Sequence, residues 1–140
     1  MKANIIYWSG TGNTEKMAQL IADGAKEAGA DVTLKTVSQA TPQDATDCDV
    51  LIMGCPSMGA EVLEEEEFEP YMTDIEGSIS GKKVALFGSY GWGDGEWMRD
   101  WDGRIAGAGA TLAVESLIVN EMPEGEEADK CTEFGKSIVA

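Results

Sequence analysis

The sequence lacks histidine entirely and contains only three cysteines, Cys48, Cys55 and Cys131. Without histidine the chain cannot build a histidine-dependent catalytic triad, and it loses the commonest general base of enzymes. The cysteines are odd in number and form no CxxC pair, so the ligands of zinc or iron–sulfur sites and a disulfide framework are also missing. Cys131 lies at helical spacing from Phe134 and Ile138, and we expect it to be buried as a small apolar side chain. These absences indicate that any chemistry here belongs to a bound cofactor.

Positive charge is scarce as well. The chain has 10 lysines and arginines against 26 aspartates and glutamates, which gives a formal net charge of −16. Such a charge repels the phosphates of nucleic acids and anionic lipid surfaces. The apolar run from Val50 to Met53 is far too short to span a bilayer, and the N-terminus lacks the layout of a secretory signal. We therefore expect a cytoplasmic protein that binds neither nucleic acid nor membranes.

What the chain does contain is a regular alternation of apolar and amphipathic segments. With 140 residues, 43% of them hydrophobic, it fits one domain spanning residues 1–140. Five apolar strands alternate with about four helices, which is typical of a doubly wound α/β fold with a parallel sheet in the order 2-1-3-4-5. Ligands of such folds bind beyond the carboxyl ends of the strands. The predicted strands are ANIIYW, DVTLKTV, DVLIMGC, KKVALFGSY and TLAVESLIV, and the predicted helices run from 13 to 29, within 62–75, from about 96 to 108 and from about 124 to 139.

The first loop at that edge, SGTGNT, is neutral and rich in hydroxyl groups. It lacks the lysine of a Walker loop, and Glu15 stands where the third glycine of a dinucleotide fingerprint belongs. A helix N-terminus carries partial positive charge and unpaired N–H donors, so this loop can hold a phosphate without a cation. The alternative is that it only caps the helix. Six consecutive small or hydroxyl residues exceed the needs of a cap, and we predict phosphate contacts from Ser9, Gly10, Thr11, Gly12, Asn13 and Thr14.

The loops after the third and fourth strands are unusual too. In SYGWGDG, glycines flank Trp92, so its ring can stand out of the loop and lie against a planar ligand, although a packed core tryptophan is the alternative. Trp97 and Trp101, four residues apart on the following helix, are expected in or near the core. In CPSMGAE, the segment Met58 to Glu61 predicts a type II′ turn with positive φ at Gly59.

Four segments together resemble one family, the short-chain flavodoxins of anaerobic bacteria. They are WSGTGNTEKMA, MGAEVLEEEEFEP, KKVALFGSYGWGDGEWMRD and CTEFGK, and the resemblance extends over essentially the whole chain. It implies a non-covalent FMN that carries electrons between redox proteins through semiquinone and hydroquinone states, without substrate turnover of its own.

By position, the same resemblance implies a role for each flavin loop. The first loop would hold the 5′-phosphate, Met58 and Trp92 would lie on the two faces of the flavin ring, and Glu61 would accept a hydrogen bond from its N3 side. The peptide after Gly59 would turn over on one-electron reduction. The implied cofactor-binding residues of the second and third loops are Pro56, Ser57, Met58, Gly59, Ala60, Glu61, Ser89, Tyr90, Gly91, Trp92 and Gly93.

Two positions depart from the family pattern. Many relatives carry aspartate at the position of Ala60, and serine or threonine at that of Pro56. Ala60 removes a negative charge near the ring, and Pro56 stiffens the approach to the loop. The energetics of the turn at Gly59 are therefore expected to differ in this chain.

Two further interpretations stay open at this point. A flavin-dependent quinone or nitro reductase of the same fold is the alternative function, although such chains are usually longer; receiver domains and small phosphatases lack their required residues here. The acidic run from Glu64 to Glu67, with Glu61 and Glu69 nearby, is either only a solvated helix face or also a docking surface for basic redox partners. The protein itself is expected to be a monomer.

Overall fold

The computed structural model describes residues 1–139 and shows strands and helices in alternation along the chain. The strands are β1 (Lys2–Tyr7), β2 (Asp31–Thr36), β3 (Val50–Gly54), β4 (Lys83–Tyr90), β5 (Thr111–Leu112) and β6 (Leu117–Asn120). The helices are α1 (Asn13–Glu27), α2 (Pro42–Thr46), α3 (Phe68–Ile75), α4 (Glu96–Gly107) and α5 (Glu126–Val139), with a 3₁₀ turn at Glu76–Ser78. In this described part, no helix combines the length and the apolar character that crossing a membrane requires.

The strands form one parallel sheet in the order β2-β1-β3-β4-β5, and β6 also pairs with β4. Central strands β1 and β3 are buried on both faces, as their continuous apolar runs predict. Their register pairs Ile5 with Ile52 and Tyr7 with Gly54, so both strands end at the same edge. The predicted fold class and strand order are confirmed.

The prediction of a single fifth strand over 111–119 is wrong. Val84 of β4 pairs with Leu112, and Phe87 of β4 pairs with Leu117. The two β4 residues are three positions apart, whereas their partners are five positions apart, so the segment between Leu112 and Leu117 contains two extra residues. The bulging segment is fixed from outside the sheet, because the Ser116 hydroxyl donates to Asp102 Oδ1 on α4 at 2.5 Å. β5 and β6 are therefore two short segments along one edge of β4.

Helix boundaries also differ from the sequence prediction. A fifth helix, α2, forms in the polar stretch after Thr41, where Pro42 starts the helix and Asp44 Oδ2 accepts the Thr41 N–H at 2.8 Å. In the segment 62–75, only the part from Phe68 onward is helical. α5 begins at Glu126, two residues later than predicted.

The core consists of two apolar layers on opposite faces of the sheet. The layer beneath α1 and α5 includes Met17, Ile21, Cys131 and Phe134. The layer beneath α2, α3 and α4 includes Phe68, whose ring meets Trp101 edge to face at 5.3 Å. Trp97 and Trp101 are each 1% exposed and Cys131 is fully buried, which confirms their predicted core positions, and burial raises the pKa of the Cys131 thiol to about 12.

A network around Arg104 joins α4 to α3. Its guanidinium donates to both carboxylate oxygens of Glu69 at 2.7 Å and to Glu76 Oε1 at 3.0 Å. These bonds hold the pKa of each glutamate below its ordinary value. All three side chains remain about a quarter to two fifths exposed, so solvent screens much of the attraction.

Replacing Arg104 by glutamine should lower the free energy of unfolding by about 1 kcal/mol at pH 7. Both glutamates have depressed pKa values in the folded chain, so their stabilising effect is present above the unfolded pKa and is lost as pH falls through the folded pKa. The difference between the two proteins should therefore shrink below about pH 4. Urea unfolding at several pH values measures this, and a constant difference from pH 7 to pH 3 would show that the ion pairs are not its source.

Candidate flavin site

A cavity of about 440 Å³, which we call the main cavity, lies at the carboxyl edge of the sheet and is lined by residues of all three predicted loops. This volume is within the usual range of small-molecule sites. Of the 17 residues that the sequence predicts, it brings nine together. They are Gly10, Thr11, Asn13, Pro56, Ser57, Met58, Ser89, Tyr90 and Gly91.

The loop between β1 and α1 presents unpaired backbone donors at this rim. Within residues 1–139, the backbone N–H groups of Gly10, Thr11, Asn13 and Thr14 have no acceptor in the chain. Ser9 Oγ accepts the N–H groups of Gly12 and Glu15, each at 3.2 Å, and so it shapes the loop. The donors stand at the N-terminus of a 15-residue helix, where partial positive charge favours an anion. The loop is therefore fit to hold a phosphate.

Gly12 makes this loop conformation possible. Its φ is +98°, in the left-handed region that favours glycine, and it forms the N-cap of α1. Thr14 is buried, and its hydroxyl shares a 2.8 Å hydrogen bond with the hydroxyl of Ser89. The first and third loops are thus joined through side chains. The backbone N–H of Thr14 has no acceptor in the described chain and is available to a ligand.

The second loop is a hairpin closed between Met58 and Val62. Each residue donates its N–H to the other's carbonyl, at 2.9 and 3.0 Å. This closure lies one residue further along the chain than the four-residue turn that the sequence predicts. The positive φ predicted for Gly59 is confirmed at +49°, and no atom lies within 4 Å of the position where a Cβ would stand.

Glu61 is already engaged in the protein. It is 8% exposed, has a φ of +55°, and its Oε1 accepts the N–H of Glu96 at the start of α4 at 3.1 Å. Gly93 has a φ of +89°, which favours glycine, and a Cβ there would stand 2.6 Å from this carboxylate and force it to move. The hydrogen bond from Glu96 to Glu61 links the second loop to α4.

The remaining predicted residues lie outside the main cavity. Trp92 is 64% exposed, and like Gly93 it lines none of the described cavities at this edge. Gly59 and Ala60 line a neighbouring cavity that Met58 shares, whereas Ser9 and Gly12 border a third cavity on the other side of their loop. The ring of Trp92 is therefore available to cover a ligand, but it does not shape the cavity itself.

Three residues that line the main cavity were not predicted from the sequence, namely Trp8, Glu121 and Met122. Trp8 borders all three cavities and donates its Nε1–H to Glu67 Oε1 at 3.3 Å. Glu121 and Met122 follow β6, and the predicted strand order already brings the end of the last strand to this edge. The strand order could therefore have predicted that the loop after the last strand borders the cavity, but not which of its side chains line it.

Charge around the cavities is entirely of one sign. No lysine or arginine lines the main cavity or the two that share Trp8, within the described residues.

The acidic run is divided between two roles. Glu64 is buried: desolvation opposes its ionisation, but N–H groups of Phe68, Glu67 and Glu66 outweigh this and keep its pKa low.

The exposed part of the run is the turn just before α3, which we call the acidic turn (Glu65, Glu66 and Glu67). The expectation of a solvated helix face is therefore wrong for this part, because α3 begins only at Phe68. Glu69 lies on α3 and is held by Arg104. The acidic turn lies beside the hairpin, since Glu65 and Glu66 line the cavity of Gly59 and Ala60.

Known proteins similar to this chain match it over nearly its full length. The flavodoxin family model matches residues 5–135. A flavodoxin of Clostridium beijerinckii is 57% identical over 96% of each chain, and one of Megasphaera elsdenii is 49% identical over 95% of each. The solution structure of two-electron reduced Megasphaera elsdenii flavodoxin superposes with a TM-score of 0.89 at 46% identity, covering 98% of both chains. Since family model, full-length relatives and fold agree, the chain belongs to the flavodoxin family, whose members bind FMN and carry electrons.

Proposed function

We propose that this flavodoxin, as a single domain, holds FMN across the main cavity with its phosphate at the loop before α1. The observation that carries the proposal is the set of four unpaired N–H groups at one rim of a cavity that no cation lines. When bound, FMN supplies one-electron redox chemistry. The protein's part is to anchor the phosphate with neutral donors and to surround the ring without any cationic side chain.

The proposed contacts follow the three loops. Ser9 to Thr14 bind the phosphate, and Pro56 to Glu61 together with Ser89 to Gly93 border the ring. Met58 already lines the cavity and covers one face, while exposed Trp92 covers the other. Oε1 of Glu61 receives the Glu96 N–H, which leaves Oε2 for the N3 side of the flavin.

Electron transfer rather than enzymatic turnover is the activity of this family. The chain and its Clostridium beijerinckii relative cover 96% of one another, which leaves little room for the insertions that build a substrate pocket in reductases of this fold. The quinone or nitro reductase alternative is therefore not favoured.

A relay assay tests this activity. FMN-loaded protein is placed between an NADPH-dependent flavoprotein reductase and a basic c-type cytochrome. We expect cytochrome reduction in proportion to added protein, and no oxidation of NADPH in the presence of a quinone when the reductase is omitted. Quinone-dependent oxidation of NADPH by the protein alone would instead identify an enzyme.

Gly59→Ala should shift the first one-electron midpoint potential by roughly 40 mV. In the turn that the one-electron-reduced protein adopts, a left-handed backbone costs alanine on the order of 1 kcal/mol, and a tenfold change in equilibrium is about 59 mV for one electron. The effect is conformational, since space around Gly59 is open and a methyl group meets no atom. Potentiometric titration measures it, and an unchanged first potential would exclude Gly59 as the hinge.

We propose further that the acidic turn docks basic redox partners. Replacing Glu65 and Glu66 by glutamine should slow reduction of the basic cytochrome severalfold at low salt, and the difference should vanish at high salt. The control is the double variant Asp23→Asn, Asp31→Asn, which removes two exposed charges elsewhere. Equal slowing in both double variants would indicate net charge rather than docking.

The proposed partners are thus redox proteins with basic docking surfaces. We also propose that the carrier is a cytoplasmic monomer, because a single shared docking face at the sheet edge suits a carrier that serves a donor and an acceptor in turn. Sedimentation of the FMN-loaded protein at micromolar concentration tests the monomer.

A further inference from the structure

The loop after β6 contains a glutamate in an unusual backbone conformation. Glu121 has a φ of +59°, and Glu61 is the only other non-glycine residue with positive φ in the described chain. This conformation brings Cβ close to the backbone and is avoided by side chains other than asparagine and aspartate. Both exceptions lie at the candidate flavin site. Strain of this kind persists where the surrounding structure holds it in place, often at functional sites.

Hydrogen bonds to the third loop hold Glu121 in this conformation. Its N–H donates to the Tyr90 carbonyl at 2.8 Å, and the same carbonyl accepts Nδ2 of Asn120 at 3.1 Å. Tyr90 lines the main cavity together with Glu121 and Met122. The chain is therefore fixed beside the cavity at two consecutive residues.

Among the described residues, Glu121 is also the only charged residue that lines the main cavity. It carries the one ionisable acid or base side chain, tyrosine aside, among the twelve residues that line the main cavity. Glu121 is exposed to solvent, and two charges on opposite sides of a cavity of about 440 Å³ are roughly 10 Å apart, about one Debye length at 0.1 M salt, so repulsion across the cavity acts mainly at low salt. A phosphate that enters this cavity as a dianion therefore meets a carboxylate and no lining cation to offset it.

We propose that Glu121 is a specificity-determining residue that weakens binding of phosphate-bearing flavin by charge repulsion. This inference rests on the proposed function, because it takes FMN as the ligand of the main cavity. The repulsion acts on the phosphate of FMN and spares riboflavin, which has the same ring and no phosphate. The N–H donors of the first loop favour FMN over riboflavin because they bind its phosphate. Glu121 makes this difference in affinity smaller.

Two substitutions separate its charge from its backbone strain. Glu121→Gln removes the charge and keeps a side chain that disfavours the left-handed region, whereas Glu121→Asn removes the charge and tolerates that region. The control is Glu124→Gln, which removes an exposed charge three residues away that does not line the cavity. Each apoprotein is titrated with FMN and with riboflavin at pH 7.5, by quenching of flavin fluorescence, at low and at high salt.

We expect both Glu121 variants to lower the dissociation constant of FMN about threefold at low salt, and less at high salt. The constant for riboflavin should stay unchanged, and Glu124→Gln should bind FMN like the parent. In urea, the Glu121→Asn apoprotein should unfold at a higher denaturant concentration than the parent, because its backbone strain is relieved. The Glu121→Gln apoprotein keeps the strain and should unfold at the same denaturant concentration as the parent.

Unchanged or weaker binding of FMN by Glu121→Gln, or an equal gain for riboflavin, would overturn the inference. A parent protein that binds FMN shows that such a failure concerns Glu121 alone. A parent protein that does not bind FMN at all would overturn the proposed function, and the inference with it.

Discussion

Replacing Gly24 by alanine is expected to lower the free energy of unfolding by about 3 kcal/mol. Gly24 lies in α1 where it crosses α5, and a Cβ there would stand 2.0 Å from the Thr132 carbonyl oxygen. The same clash occurs from α5 to α1, since a Cβ on Gly135 of α5 would stand 2.1 Å from the carbonyl oxygen of Ile21 on α1. Both obstacles are backbone atoms, so no side-chain rotation relieves them. The two helices would have to move apart and open the core beneath them.

Gly103→Ala is the matched control for this substitution. Gly103 also lies inside a helix, α4, but nothing stands within 4 Å of its Cβ position. Alanine there should raise stability by about 0.5 to 1 kcal/mol, because it restricts the unfolded chain without a clash. Urea unfolding of the apoproteins measures both effects. A loss below 1 kcal/mol for Gly24→Ala would contradict the close helix crossing.

Thr11→Asp should weaken FMN binding more than a hundredfold while the fold stays intact. Thr11 precedes α1, so the new carboxylate would lie among the unpaired donors and repel the phosphate. Charges about 4 Å apart interact by about 4 kcal/mol near a protein surface, and 1.4 kcal/mol is a factor of ten in affinity. An acidic residue at a helix N-terminus also stabilises the helix by about 0.3 to 1 kcal/mol.

The neutral control is Thr11→Asn, which has nearly the same shape as the aspartate and should bind FMN within a few-fold of the parent. Riboflavin affinity should differ little between the two variants, because riboflavin lacks the phosphate. Fluorescence titration of each apoprotein supplies the dissociation constants, and urea unfolding checks the fold. Similar FMN affinity for the aspartate and asparagine variants would place the phosphate elsewhere.

The fold was largely predictable because local and tertiary signals agree. Continuous apolar runs such as Val50 to Met53 need cover on both faces, and parallel pairing with helical crossovers provides it. The break between β5 and β6 was not predictable in the same way. The residues between Leu112 and Leu117 continue an edge-strand pattern, and only their register against β4 and the bond from Ser116 to Asp102 interrupt it.

The candidate site was likewise predictable only in part. The geometry of the first loop was predictable because its composition carries the signal: Gly12 supplies the left-handed turn, and small residues leave N–H groups free. The roles of the glutamates were not visible in the sequence. Whether Glu64 is buried depends on three N–H groups of a turn, and nothing in the residue type indicates a left-handed Glu121. Glycine and asparagine mark such positions in sequence, whereas glutamate does not.

The visible spectrum of the purified, FMN-loaded protein during stepwise photoreduction tests the central claim most directly. A one-electron carrier should start yellow, turn blue near half reduction and then lose its colour as the second electron enters. We expect this blue stage at one equivalent of electrons per FMN. Direct bleaching from yellow to colourless without a blue stage, or a protein that retains no FMN, would contradict the claim.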